Sequence, residues 1–576
     1  MIITVITWAM MWNIFSIYGL AINVLIKRKT NYTQCSLFDL LWFGIAAVTV
    51  YVQFFSLIYK VGVMAFSIAA VLALFLVFLL KDEYSCVIKE LIFKIKRKPA
   101  KSCIILFVMG IFIFVGGVFT IQTPSHYDTY LYHAQNIRWI EEYGVVKGLG
   151  NFHNRFAYNS SFLCLQALFS FSWCLSQSLH TLNGFLWVFM SCYVFGTLKV
   201  YKENKVFLSD IFKFLTLTYL FNSETTKMLS SPHTDMMTML LVIYILTRWI
   251  ELLEQKEKSY IPYGVLCLLG VFSVSVKLSA ALVLILVLKP AFELLKVKEW
   301  KTIITFITSG IIIIIPFLIR NVMLSGYLVY PYASIDLFNV DWKMPASQVI
   351  FDNHEIIAWG RMLRDVNRYS EPMKVWLPIW LENSGSTNRT FMIINLILLP
   401  IMVVMAFYNF YRKKYDRSLV IICCSALFAG WLFTAPLPRY GAIYMYLLPI
   451  LFSFMIVRKI PKFVLHKWKY FVYMCAFIIS MNMMQNVKDE VGMLKYGNRL
   501  FPKDYGEYSV CEVLWNEVEV YLPVSGDQVS YHKFPSTPYS LRLDLIELRG
   551  ENLEDGFKIK DEFEGRKIST YGFFLD

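Results

Sequence analysis

"KSCIILFVMGIFIFVGGVFTIQTPSHYDTYLYHAQNIRWI", residues 101–140, changes character at Gln122. The apolar run that ends there is long enough to cross about 30 Å of hydrocarbon as a helix. A burst of His, Asp, Tyr, Gln and Arg follows at once. Composition decides how the run is read. Of 576 residues, 57% are hydrophobic, 17% aromatic and only 17% charged, and comparable runs recur along the chain. That is the pattern of an all-α polytopic membrane protein whose solvent is largely lipid.

The formal net charge of +14 does not point to nucleic acid. The cations lie in short clusters between apolar runs: Lys27–Lys29, Lys94–Lys101, Lys199–Lys205, Lys256/Lys258, Lys296–Lys301, Arg412–Lys414 and Arg458–Lys469. Cytoplasmic loops look like this. With all of them inside, the runs near 2–26, 37–59, 62–80, 103–121, 180–198, 208–222, 235–252, 261–276, 278–288, 302–319, 392–411, 418–434, 441–457 and 469–484 give about fourteen crossings. Both termini are then outside. Residues 1–102 read as N-terminal membrane helices with a basic loop, 103–484 as the membrane core with outer loops 122–178 and 320–391, and 485–576 as a small α/β extracytoplasmic domain.

Residues 2–26 lack a basic leader and a cleavage site and read as a retained helix. Eleven cysteines sit mostly in apolar runs, with neither disulfide nor metal spacing. Glycosylation-type tripeptides begin at Asn31, Asn159 and Asn388.

Under this threading polar residues gather on one side. His126, Asp128, Tyr132, His133, Gln135 and Arg138 follow the first quoted run; Asp235 opens a helix in "SSPHTDMMTMLL"; Lys277 breaks "FSVSVKLSAALVL"; Arg320 begins the large outer loop; Arg439 and Tyr440 head the helix after "TAPLP". Ionisable groups at such depths are costly without a partner, water or ligand. Two acids and three cations at one interface suit an anionic ligand held beside a base. Plainer readings stand beside this one. Ser125-His126-Tyr127-Asp128 fits a capping box, Asp235 suits a helix N-terminus, and Lys277 has the reach to snorkel to headgroups. Asp128, Tyr132, Gln135 and Trp139 share one face of an α-helix, and Arg138 fits an ion-pair set with Glu141 and Glu142. His126, His133 and His153 match no metal spacing and read as satisfied or solvent-facing.

These segments resemble the GT-C superfamily of membrane glycosyltransferases. "HYDTYLYHAQNIRWIEEYG" is similar to the early outer loop with its acid. "HTD" (233–235), Lys277 to Ala280, "IRNVMLSGYLVYP" (319–331) and "PRYGAIYMYLLP" (438–449) resemble further recurring segments. "GLGNFHNRFAYNSS" (148–161) is similar to bacterial GT-C-like proteins from surface-polysaccharide contexts. The resemblance implies a plasma-membrane enzyme that moves sugar from a polyprenyl-phosphate donor to a glycan or lipid acceptor outside the cytoplasm. Asp128 would be its general base and Arg439, then Lys277 and Arg320, would hold the phosphate. Tyr132, His133, Gln135, Asp235 and Tyr440 would orient substrate, with Trp342, Trp359, Trp376 and Trp380 either closing over the site or serving equally as interfacial anchors. Thr129 stands where many relatives carry a second acid, so the expectation is metal-independent chemistry without a cofactor. Rival readings are an O-antigen-type polymerase or ligase using Arg361, Arg364 and Arg368, a transporter, and a non-catalytic scaffold.

Overall fold

The computed structural model describes residues 1–30, 36–97, 99–198, 207–457, 487–488, 491 and 500–575. The expected crossing near 469–484, the basic clusters 199–205 and 458–469 and the tripeptide at Asn31 lie outside the described residues.

Among the described residues eight helices are long and apolar enough to cross a membrane. They are α1 (Ile2–Thr30), α2 (Leu37–Ser56), α3 (Ser102–Thr120), α4 (Asp235–Glu254), α5 (Leu278–Val297), α6 (Trp300–Ser325), α7 (Ser386–Tyr411) and α8 (Tyr415–Phe433). The pair Val63–Leu79 and Lys81–Glu90, bent by 81°, makes a ninth if read as one span. The chain is thus an all-α polytopic membrane protein with fewer crossings than the fourteen expected. Length is the reason. The 208–222 run folds as Leu208–Leu220, about 20 Å of helix against about 30 Å of hydrocarbon. The 180–198, 261–276 and 441–457 runs form shorter apolar helices as well: Leu182–Thr197, Ile261–Val276 and Tyr444–Ile456. The 278–288 run is longer than expected, because a 3-10 stretch, Leu278–Val287, runs on into an α-helix to Val297.

α4 is the central post, and 89% of its apolar window is buried. Its first residue, Asp235, is buried at one end. At the other end Arg248 bonds both carboxylate oxygens of Asp39 (3.1 and 3.0 Å), and Lys213 meets Glu251 at 2.6 Å. Charges this deep persist only when paired.

The tail bears strands, as the alternation in "CEVLWNEVEVYLP" predicts. β1 (Val510–Trp515) and β2 (Val518–Pro523) form an antiparallel hairpin with Trp515 opposite Val518. Its two turn residues, Asn516 and Glu517, both have positive φ, the geometry of a tight hairpin turn. β3 (Ile546–Leu548) pairs β4 (Phe557–Ile559), and a short helix spans Ser540–Leu545.

This region is seated on both loops expected to be outer. Gln135 donates to the carbonyls of Ser530 and Lys533 (2.7 and 2.8 Å) and accepts from Ser536 N–H. Arg542 donates five hydrogen bonds, four to the carbonyls of Gly150, Asn151 and Thr570 and one to Gln348. Phe557 N–H reaches Lys147 O at 2.9 Å. Gly148 and Gly556, both at positive φ, let the backbones meet there; a Cβ on either would stand 2.1 or 2.2 Å from the opposing carbonyl oxygen.

Candidate functional site

An interrupted helix builds the first wall. Residues Thr129–His133 form a π-turn in which Ala134 N–H bonds Thr129 O. The extra residue in the turn rotates the downstream helix, so Asp128 and Gln135 do not share the face an unbroken α-helix would give. Asp128, Tyr132 and His133 line a cavity of about 470 Å³, whereas Gln135 turns to the tail and Trp139 packs into an apolar cluster with Phe152 and Phe557.

Asp128 caps nothing: its side chain bonds no helix N–H, and the capping-box reading is corrected. Ser125 is engaged elsewhere, its N–H on Ser231 Oγ and its hydroxyl on Lys227 O. The Asp128 carboxylate instead accepts from Arg439 Nη2 at 2.8 Å. Burial pushes its pKa up, but Arg439 together with His126 and His133 outweighs burial and holds it below the usual carboxylate range.

Arg439 arrives on a 3-10 turn, Pro438–Gly441, where proline presets the backbone. Its guanidinium also reaches Tyr440 OH at 3.2 Å. Lys277 stands where Ile261–Val276 ends and the 3-10 stretch begins, in extended backbone. It does not snorkel. Its ammonium bonds Asp235 and lies 4.0 Å from the Tyr440 ring centroid. Two acid–cation pairs, linked by one tyrosine, therefore share the site. Asp128, Tyr132, His133, Asp235, Lys277 and Tyr440 all line the cavity. Leu278, Leu282, Phe317 and Phe433 supply apolar wall.

Other expected residues stand apart. Arg320 is buried, bonded to Ser56 Oγ at 2.6 Å and Asn159 Oδ1 at 3.2 Å, and is not on the cavity wall. It ties α6 to the end of α2, a structural use of its charge. Gln135 is likewise an anchor for the tail. Trp376 and Trp380 are core residues, with the Trp380 indole bonded to Pro436 O, so they cannot close over anything. Arg361, Arg364 and Arg368 do not line the cavity, and Arg361 is bonded to the Tyr369 carbonyl. Arg138 pairs with Glu142 at 2.9 Å, while Glu141 leaves the expected set for Tyr531 OH. Burial raises Glu141 to about 7.

None of the three expected histidines is solvent-facing; His126 has a polar neighbour at each ring nitrogen, while His133 leaves Nδ1 without a partner among the described residues. His126, His133, His153 and His233 are buried, and His153 and His233 have both ring nitrogens without a hydrogen-bond partner among the described residues. Burial holds His126 and His133 at about 4 and His233 at about 3, so all three are neutral at pH 7. His126 stacks on His233 with centroids 4.9 Å apart.

His126, His233 and Asp235 bring ligand atoms within 4.8 Å of one another, a grouping that spacing along the chain does not reveal. Their arrangement does not fit a divalent cation. His126 Nδ1 lies 3.2 Å from the Asp128 backbone nitrogen. Its Nε2 faces the Arg439 guanidinium, a group that only donates, at 3.3 Å, and Asp235 is already taken by Lys277.

Residues 1–446 match a family described as a domain of unknown function, DUF8201. The chain belongs to this family. Every residue named on the cavity wall falls inside the DUF8201 match, and β1 to β4 lie beyond it. No curated protein and no solved structure matches the chain.

Sequence reasoning missed Arg155, Tyr158 and Tyr330, all on the cavity wall. The signal was present in "NRFAYN" and "YLVYPY", where an arginine and several tyrosines crowd short loops.

Proposed function

We propose that this chain is a plasma-membrane glycosyltransferase that moves a sugar from a polyprenyl-phosphate donor to a glycan or lipid acceptor on the extracytoplasmic face. The observation that carries the reading is the pairing of Lys277 with Asp235 and of Asp128 with Arg439, in which Asp128, Asp235 and Lys277 line a cavity whose remaining wall is largely apolar and Arg439 stands beside it. Such a cavity suits an amphiphile with an anionic head.

The polarity of the helices supports the outer placement. α4 starts at the cavity and ends beside Lys256 and Lys258; α6 and α8 start after basic clusters and end at the cavity with Phe317 and Phe433. Ile261–Val276 follows the same rule and ends at Lys277. Basic ends belong inside.

In the mechanism, donor phosphate competes with Asp128 for the Arg439 guanidinium, whose fork matches its oxygens, and Lys277 adds a second cation. Losing Arg439 restores the basicity of Asp128. Its carboxylate takes the acceptor's hydroxyl proton, the oxygen attacks the anomeric carbon, and the bond from that carbon to the phosphate oxygen breaks. The electron pair leaves with polyprenyl phosphate, and the anomeric configuration inverts. Tyr132, His133 and Tyr440 orient the reacting groups.

The test is rescue. The gene is deleted, surface glycans are profiled, and either the natural protein or Asp128→Asn is restored at matched membrane levels. The natural protein restores a missing sugar, and the Asn form falls short by about 10²- to 10⁴-fold in transfer rate. Equal restoration overturns the proposal.

A further inference from the structure

Arg155 differs from the other arginines that the fold buries. Arg542 donates five hydrogen bonds and Arg320 two. Arg155 lines the cavity, yet no hydrogen bond from its guanidinium is found among the described residues, and its Nε is buried without a partner. It rests over the Tyr158 ring, 5.6 Å from the centroid. Its nearest carboxylate is Glu355, 3.4 Å from Nη2. Asp352 is taken by Asn154, Tyr158 and Tyr330. Glu355 Oε1 accepts from Tyr571 OH, and its Oε2 has no partner among the described residues. Arg155 Nε and Glu355 Oε2 thus stay without a hydrogen-bond partner among the described residues, although Nη2 and Oε1 pair the two charges. Each unmet group is costly unless something else satisfies it.

Tyr132 neighbours both this pair and the proposed reaction centre, its ring centroid 4.2 Å from His133 and 6.3 Å from Tyr158. The ligand chemistry follows from the charges. Arg155 and Glu355 already balance, so an added carboxylate or phosphate would be pulled by one and repelled by the other. A hydroxyl oxygen accepts from the guanidinium without adding charge beside Glu355. We infer that Arg155, charge-balanced by the buried Glu355, forms a hydroxyl-recognition subsite that holds an uncharged sugar ring against the cavity wall. This rests on the glycosyl-transfer reading and names the substrate class for it: a neutral saccharide, not a uronic acid or a sugar phosphate, occupies this subsite.

The test uses the full chain in phosphatidylcholine nanodiscs. Saturation-transfer NMR measures binding of methyl glycosides of glucose, galactose, mannose and glucuronic acid, and a separate arm measures decaprenyl phosphate. At least one neutral glycoside binds, more tightly than the glucuronide. Arg155→Gln weakens it roughly 10- to 100-fold. Arg155→Lys keeps a cation beside Glu355, so it preserves the fold while losing the planar fork, and it weakens binding in the same direction. Decaprenyl phosphate binding is unchanged in both. The inference is overturned if no neutral glycoside binds the natural protein, if Arg155→Lys at an unaltered unfolding midpoint binds as the natural protein does, or if the glucuronide is preferred. The transferase reading fails separately: decaprenyl phosphate binding that survives Arg439→Gln removes the donor site while leaving the sugar subsite standing.

Discussion

Replacing Arg439 with Gln removes the strongest of the groups that offset burial at Asp128. Losing one partner of a buried ion pair costs about 3–5 kcal/mol. Arg439 keeps 31% of its side chain exposed against 11% for Asp128, so solvent screens part of that and about 2–3 kcal/mol is expected near pH 7. The pH dependence reverses as well. In the natural protein the Asp128 pKa lies below its ordinary value of 3.8. The pair therefore stabilises above that pH and is lost as pH falls through the folded value. In Arg439→Gln the strongest opposing charge is gone, and burial, the largest influence left, raises the folded value above the unfolded one. The variant then gains stability as pH falls and loses it as pH rises through the folded value. Adding Asp128→Asn removes the stranded charge and recovers at least about 1 kcal/mol. Thermal unfolding of the detergent-purified proteins at mildly acidic and neutral pH measures all three forms. Effects of the two substitutions that add within about 0.5 kcal/mol, with the same pH profile throughout, would refute the coupling and with it the phosphate-triggered release of the base.

Lys277→Met strands Asp235 and removes the second phosphate cation; decaprenyl phosphate binding should fall at least about tenfold, measured by retention on the immobilised protein. Glu141, raised to about 7 from an ordinary 4.5, anchors the tail through Tyr531. Its contribution, at most about 3 kcal/mol, is full below the unfolded value and lost as pH rises through 7. Limited proteolysis of the tail should therefore quicken between about pH 5 and pH 8, and Glu141→Gln should flatten that dependence. Gln135→Ala removes three hydrogen bonds to the 530–536 segment at a cost of about 2 kcal/mol, read as faster amide exchange in that segment.

The Asp128–Arg439 pair also has a functional sense that neither residue carries alone. On the proposed glycosyl-transfer mechanism, a base clamped by its own phosphate-binding cation is held inactive until an anion takes the cation away. Water reaching the cavity before the donor then meets a carboxylate whose basicity is already spent on Arg439.

Local chemistry was readable without coordinates wherever one element carried the signal. Apolar run length alone marks the chain as a polytopic membrane protein, because crossing hydrocarbon demands continuous apolar helix. The alternation in "CEVLWNEVEVYLP" predicts the hairpin that forms. Cost of burial singled out Asp128, Asp235, Lys277 and Arg439 before any contact was known. Crossing number was not readable, because a run's composition does not tell where a helix bends, as at the 81° break, or tightens into a 3-10 turn.

By itself, then, the sequence determined the class of fold, the hairpin in the tail and the polar residues that lipid would not tolerate unpaired. Only the tertiary structure decided how they are paired: Asp128 with Arg439 across 311 positions, Asp235 with Lys277 across 42. It also sent Arg320 to Ser56 and Gln135 to the tail, and it put Arg155 on the cavity wall beside Glu355. A buried charge advertises in sequence that it needs a partner, through the free energy of removing it from water. Which partner it finds depends on how helices cross and on a single π-turn, and neither is written in local composition.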